Sequence, residues 1–296
     1  MSHKDLMIGI LSPGDMGHTV GNVLRENGAR VITCLEGRSQ RTAKLTEDAG
    51  IEIVDSYPAL VEQADLLLSI LVPAQALPTA TKVASALAST NTSVLYVDCN
   101  AIAPETTRQI ERVIVEAEAQ FADASIIGPP PRRPGITRFY TSGKDAGGFE
   151  KLNEYGLQVV PLGDEIGHAS AIKMCYAALT KGTSALAAEL FTATSAMGVF
   201  EPLVAEFQLS QSERYETLSQ SVARIPMKSR RWVGEMEEIA KSFENVGLTP
   251  KIIQGAADVY RLMGSTTLAD RTPEDTTPFP SLEETVTELV KKSKKG

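Results

Sequence analysis

The first residues suited to chemistry are Ser12-Pro13-Gly14-Asp15-Met16-Gly17, which follow an apolar run from Leu6 to Leu11. A glycine-bearing turn between a strand and a helix lets backbone N–H groups approach a pyrophosphate at the helix N-terminus. Ser12 stands where the dinucleotide fingerprint has its first glycine, so the motif is incomplete, but its place between strand and helix supports it. Ser12, Pro13, Gly14, Asp15 and Met16 are the cofactor candidates of this turn. A second group is Glu36-Gly37-Arg38-Ser39-Gln40-Arg41, after the next apolar run. An acidic residue at that point holds the ribose hydroxyls of NAD, whereas cationic and hydroxyl side chains suit the 2′-phosphate of NADP. Arg38, Ser39 and Arg41 favour NADP over NAD. Glu36 is the competing signal, and Ser39 could equally be a helix N-cap.

Other chemistries find less support. Cys34, Cys99 and Cys175 are widely spaced, and His3, His18 and His168 are scattered, which forms neither a disulfide framework nor a zinc pattern. Lys+Arg total 29 against 37 Asp+Glu, a formal net charge of −8. That balance argues against a nucleic-acid partner. The basic clusters are short: Arg132-Arg133, Arg230-Arg231, and Lys291 to Lys295, the last reading as a solvated tail. No run is apolar enough to span a bilayer, and the N-terminal run lacks a cleavage site, so no membrane partner is expected. A reducing, cytoplasmic setting is the simplest expectation.

The elements that must position these residues follow from periodicity. Strands are expected at Leu6 to Leu11, Arg30 to Leu35, Ile51 to Val54, Ala64 to Leu71 and Val94 to Asp98, and helices at Met16 to Asn27 and Thr42 to Ala49. Apolar strands alternating with helices predict a parallel sheet covered on both faces. Three more strands are expected at Phe121 to Ile127, Thr137 to Thr141 and Leu157 to Val160. Between the first two, Gly128 to Gly135 is proline-rich and reads as a stiff loop. Ala169 to Met197 is apolar and proline-free and reads as one long helix, with Gly182 its weak point. Five helices follow, at Glu201 to Phe207, Ser210 to Val222, Met227 to Val246, Lys251 to Met263 and Ser281 to Lys292. Thr266 to Pro280 reads as an irregular loop. The fold class is thus α/β: a Rossmann-like doubly wound domain over residues 1–163, followed by an all-helical domain over 164–296.

Five segments in order resemble the β-hydroxyacid dehydrogenases, relatives of 6-phosphogluconate dehydrogenase. They are Ile8 to Gly17, Leu71-Val72-Pro73, Asp98 to Glu105, Phe121 to Gly128, and Gly167 to Lys173. The likeness spans roughly residues 6 to 197; the remainder resembles a poorly characterised phosphogluconate-dehydrogenase-like branch. The resemblance implies that Leu71, Val72 and Pro73 form a cofactor loop. It implies that Lys173 exchanges a proton with the substrate oxygen beside the nicotinamide, where a cationic ring disfavours the ammonium form. It also implies a homodimer and a small-molecule substrate.

Departures from the family pattern bear on that substrate. Ile127-Gly128-Pro129 replaces Ser-Gly-Gly, removing a hydroxyl and a backbone donor. Tyr176 replaces an Asn three residues after Lys173, and could donate to a substrate oxygen or pack. Asn100 replaces Ser or Thr, and could contact substrate or cofactor or stabilise a turn. Ile127, Gly128, Asn100 and Tyr176 are the substrate candidates, and Arg132 and Arg133 could supply anion contacts. The leading expectation is an NADP-dependent dehydrogenase or reductase of a hydroxyl/carbonyl pair. An imine reductase of the same architecture and a non-catalytic NADP sensor are the alternatives.

Overall fold

The computed structural model describes residues 6–272, 275 and 278–294. His3, Lys295 and positions 273, 274, 276 and 277 of the polar loop lie outside the described residues. Two compact units divide at Met174/Cys175.

The first unit is an eight-stranded sheet. In chain order it runs β1 (Met7–Ile10), α1 (Gly17–Glu26), β2 (Arg30–Cys34), α2 (Gln40–Asp48), β3 (Glu52–Val54), α3 (Tyr57–Gln63) and β4 (Leu66–Ser69). There follow α4 (Pro73–Thr90), β5 (Leu95–Asp98), α5 (Pro104–Glu116), β6 (Gln120–Ile127), β7 (Arg138–Ser142), α6 (Ala146–Glu150) and β8 (Val159–Pro161). Strand order is β3-β2-β1-β4-β5-β6-β7-β8, parallel throughout except for the antiparallel β6–β7 pair. The mostly parallel, doubly covered α/β sheet is the one expected from the sequence.

Alternation explains why both faces are filled. Leu67, Tyr96 and Phe121 enter one core with Tyr57, Leu60, Val83 and Ile110. Their neighbours Leu68, Val97 and Ala122 enter the other with Ile8, Val20, Leu24, Phe139 and Phe149. Successive side chains of a strand point to opposite faces, so a strand apolar at every position needs a helix layer on each side.

The long helix α7 (His168–Ala196) runs without interruption through Gly182. Its first two turns belong to the first unit. The second unit contains the rest of α7 and the helices α8 (Phe200–Ser210), α9 (Ser212–Arg224), α10 (Pro226–Asn245), α11 (Lys251–Gly264) and α12 (Leu282–Ser293). A short 3-10 turn, Thr267–Asp270, precedes the polar loop. Phe191 meets Phe200, Phe207 and Tyr215 edge-on. Trp232, the chain's single tryptophan, packs edge-on against Tyr260 at 5.3 Å, with Lys181 and Lys228 over its ring. Lys181 pairs with Glu235, and Tyr260 Oη donates to the Lys181 carbonyl at 2.6 Å. Lys291 pairs with Glu288 one turn earlier on α12.

No helix among the described residues is long and apolar enough to cross a membrane.

Candidate functional site

The strand registers place the candidate residues along one edge. Ile10 is level with Leu68, Leu68 with Val97, and Val97 with Ala122. The chain therefore leaves β1, β4 and β5 at the same carboxyl edge, across two strand intervals of about 4.8 Å, roughly 10 Å in all, while β6 runs on past that line to Ile127. In open parallel sheets ligands bind beyond this edge.

At the end of β1, Leu11 to Met16 turns into α1. Gly17 must be glycine here, because a Cβ would lie 2.3 Å from the Ser12 carbonyl oxygen. Gly14 is the opposite case: a Cβ there would meet nothing within 4 Å. Met16 gives α1 no side-chain cap. Gly14 N–H donates to Ser12 O at 2.8 Å, and the His18 ring contacts Gly14 O at 2.6 Å. Ser12, Gly14, Asp15 and Met16 are half-buried and Pro13 is buried. The result is a glycine-floored helix N-terminus with free room above it, which suits an anionic group.

At the end of β2, Asp15 pairs with Arg41 on α2, tying this loop to the glycine turn. Ser39 is the N-cap of α2, its Oγ accepting from Thr42 N at 3.2 Å. Arg38 donates from Nη2 to Tyr57 Oη at 3.2 Å, while its Nε is buried with no hydrogen-bond partner among the described residues. A dry guanidinium N–H left over is the kind of group a bound anion satisfies. Glu36 faces Lys82 of α4, with 3.7 Å between carboxylate and ammonium. The open glycine cradle and the orphaned Arg38 Nε fit a phosphate-bearing dinucleotide.

At the ends of β4 and β5 the structure gives Asn100 a specific task. Its Oδ1 accepts from Leu71 N at 2.6 Å, and its Nδ2 donates to Ser69 Oγ and Asp98 Oδ2 at 2.9 and 3.0 Å. Asn100 is buried, so it braces the loop of Leu71, Val72 and Pro73 from below. Val72, at the loop's tip, is exposed.

Asp98 is level with Asp123 on the adjacent strand, and both are buried. Burial pushes the Asp98 carboxyl up to about 7, against hydrogen bonds from Asn100 that favour its charged form. Burial also raises Asp123, but this carboxylate is richly supplied with donors. It accepts from Gly167 N (2.9 Å), Ser170 N (3.0 Å), Ser170 Oγ (2.7 Å) and Ser142 Oγ (3.1 Å). It thereby clamps the start of α7 to β6, where a negative charge also complements the helix dipole. One turn further along, Lys173 Nζ donates to the Ile126 carbonyl at 2.6 Å. Asp123 and Ile126, three residues apart on β6, fix the first two turns of α7.

Ile127 is half-buried, and Gly128 takes a positive φ of 131° at the mouth of the proline loop. A Cβ on Gly128 would strike the Ile136 carbonyl at 2.4 Å. Thr137 closes the loop by donating to Pro129 O at 2.5 Å. Arg132 and Arg133 are exposed on it. Tyr176 is exposed on α7 just inside the second unit. Three participants are absent from the sequence reading: Lys82, Tyr57 and the clamp built on Asp123. The one signal for the clamp is an aspartate inside each of two buried apolar strands.

Comparisons with known proteins agree with this fold. Residues 7–146 match the NAD binding domain of 6-phosphogluconate dehydrogenase, and residues 194–263 match a domain of unknown function (DUF1932). An uncharacterized 28.5 kDa protein of Methanothermus fervidus is 28% identical over 257 residues, covering 86% of this chain and 98% of that protein. A solved protein of unknown function, described as structurally similar to 3-hydroxyacid dehydrogenases, is 31% identical with a TM-score of 0.64. That match covers 88% of this chain and 99% of the other. Mycobacterium tuberculosis 3-hydroxyisobutyrate dehydrogenase, solved with L-serine, shares the fold at 16% identity and a TM-score of 0.68, over 96% and 99% of the two chains. This chain belongs to the 6-phosphogluconate dehydrogenase-like family, with the NAD(P)-binding fold of the 3-hydroxyacid dehydrogenases and a C-terminal domain of unknown function.

Proposed function

We propose that this chain is an NADP-dependent oxidoreductase that moves hydride between the cofactor and a hydroxyl/carbonyl pair, with Lys173 as general acid/base. The observation that carries the reading is the placement of Lys173. Its Nζ is held on the Ile126 carbonyl at the strand edge that also bears the glycine turn, by a helix start clamped on Asp123. Ser12 to Met16 would hold the pyrophosphate, Arg38 the 2′-phosphate, with Arg41 and Ser39 shaping that loop, and Leu71 to Pro73 would flank the nucleotide. The bound nicotinamide supplies the hydride acceptor and donor. Lys173 takes the hydroxyl proton as the substrate C–H bond gives up its hydride, and returns that proton when the reaction runs backwards. The Ile126 carbonyl, accepting from Nζ, holds the Lys173 side chain in place between turnovers.

The substrate is a small molecule, bordered by Ile127 and Gly128. Pro129 offers it no backbone donor, so a substrate carboxylate, where there is one, is recognised differently from that of the Ser-Gly-Gly relatives. We further propose that the chain works as a homodimer, in the cytoplasm.

The test is a Lys173→Ala variant. Protein-enhanced NADPH fluorescence should persist, while turnover over a panel of hydroxy acids and their carbonyl counterparts falls by about 100-fold or more. Unchanged turnover would overturn the acid/base role. Absence of both NADPH and NADH binding in the wild type would overturn the enzymatic reading and the sensor alternative together.

A further inference from the structure

The rim of the β2 loop carries a residue from outside that loop. Lys82 lies on α4, in its third turn, and its ammonium sits 3.7 Å from the Glu36 carboxylate and 5.9 Å from the centre of the Tyr57 ring. Tyr57 Oη in turn accepts from Arg38 Nη2 at 3.2 Å. Glu36, Lys82, Tyr57 and Arg38 thus form one chain of contacts, with two cations to one carboxylate. Glu36 is the residue type that favours the free ribose hydroxyls of NAD and repels a 2′-phosphate. A neighbouring ammonium removes that repulsion and adds positive charge to the same rim.

We propose that Lys82 is a specificity-determining residue, which neutralises Glu36 and joins Arg38 in favouring the 2′-phosphate of NADP. The proposal rests on the NADP reading above. Two independent features support it. The buried Arg38 Nε has no partner among the described residues, which marks the rim as built to receive an acceptor. Tyr57 meets both cations, Lys82 beside its ring and Arg38 on its hydroxyl, so one rigid side chain places them on the same rim. Lys82 and Glu36 are 57% and 58% exposed, so their mutual attraction alone is weak and its replacement leaves the fold intact. The effect appears when a doubly charged phosphate enters.

The experiment measures dissociation constants of NADPH, NADH, 2′,5′-ADP and 5′-AMP by calorimetry, on the wild type, Lys82→Ala and Glu36→Gln. The wild type should prefer NADPH over NADH, and 2′,5′-ADP over 5′-AMP. In Lys82→Ala both phosphate-bearing ligands should weaken about five- to tenfold, with NADH and 5′-AMP changed less than about twofold. Glu36→Gln should keep the NADPH preference. A Lys82→Ala protein that retains the wild-type NADPH:NADH ratio overturns the assignment while leaving the NADP reading in place. A wild type with no preference for NADPH overturns the NADP reading itself, and Lys82 with it.

Discussion

Asp98 and Asp123 are neighbours across two buried parallel strands, and they hold their environment differently. The folded chain keeps the Asp98 proton up to about pH 7, whereas an unfolded aspartate releases it near pH 4. Between those values the folded state binds more protons than the unfolded one, so raising the pH costs stability. Thermal melts should show stability falling from pH 5 to pH 8, by roughly 2–4 kcal/mol from this residue, and Asp98→Asn should flatten that slope. A melting temperature independent of pH over that range would contradict the burial argument. Asp123 is a matter of donors. Asp123→Ala leaves two hydroxyls and two backbone N–H groups without their acceptor, and should destabilise the chain by about 3 kcal/mol or more. The residues readable in advance are those whose role is tied to local sequence, such as Ser39, whose cap requires only Thr42. Asn100 was readable as a turn residue or a ligand. What decides its hydrogen bonding is Leu71, which is distant in sequence and becomes a neighbour only when β4 and β5 pair.

The β1–turn–α1 element contains two glycines with opposite sensitivities. Gly17→Ala forces a methyl onto the Ser12 carbonyl, and should lower stability by about 1–3 kcal/mol as seen by denaturant unfolding. Gly14→Ala meets open space, so its melting temperature should match the wild type while NADPH binding weakens about tenfold or more. Equal loss of stability in both variants would mean that the open room at Gly14 has no ligand function. The strands of this element and its neighbours are legible because apolar residues run consecutively in them rather than alternating, as a doubly covered parallel strand requires. Helix α4 is harder to read: Pro78 lies inside it, and a proline normally ends a helical pattern. The reversed direction of β7 is equally silent in the sequence, since the proline loop fixes its length but not its return path.

At the scale of the whole molecule, the family and the α/β-then-helical order follow from ordered motifs and a change of texture near Gly167. The unit boundary lies deeper, at Met174/Cys175, because Asp123 and Ile126 bind the opening turns of α7 to the sheet. In the helical unit, Leu179 and Leu186 on one face of α7, and Met197 just past its end, are 73%, 65% and 73% exposed. That stripe is where the proposed homodimer would bury apolar surface. Light scattering should give a dimer for the wild type and a smaller species for Leu186→Glu; a wild-type monomer would remove the dimer from the proposal. The lone indole at Trp232 has a practical corollary. The helical unit emits from it, and the sheet unit contains no tryptophan, while the emission of an added reduced nicotinamide dinucleotide would report on the nucleotide-binding fold. Two optical channels therefore watch two parts of one chain. A denaturant titration followed in both would reveal whether the halves melt together or in sequence, without a label on either.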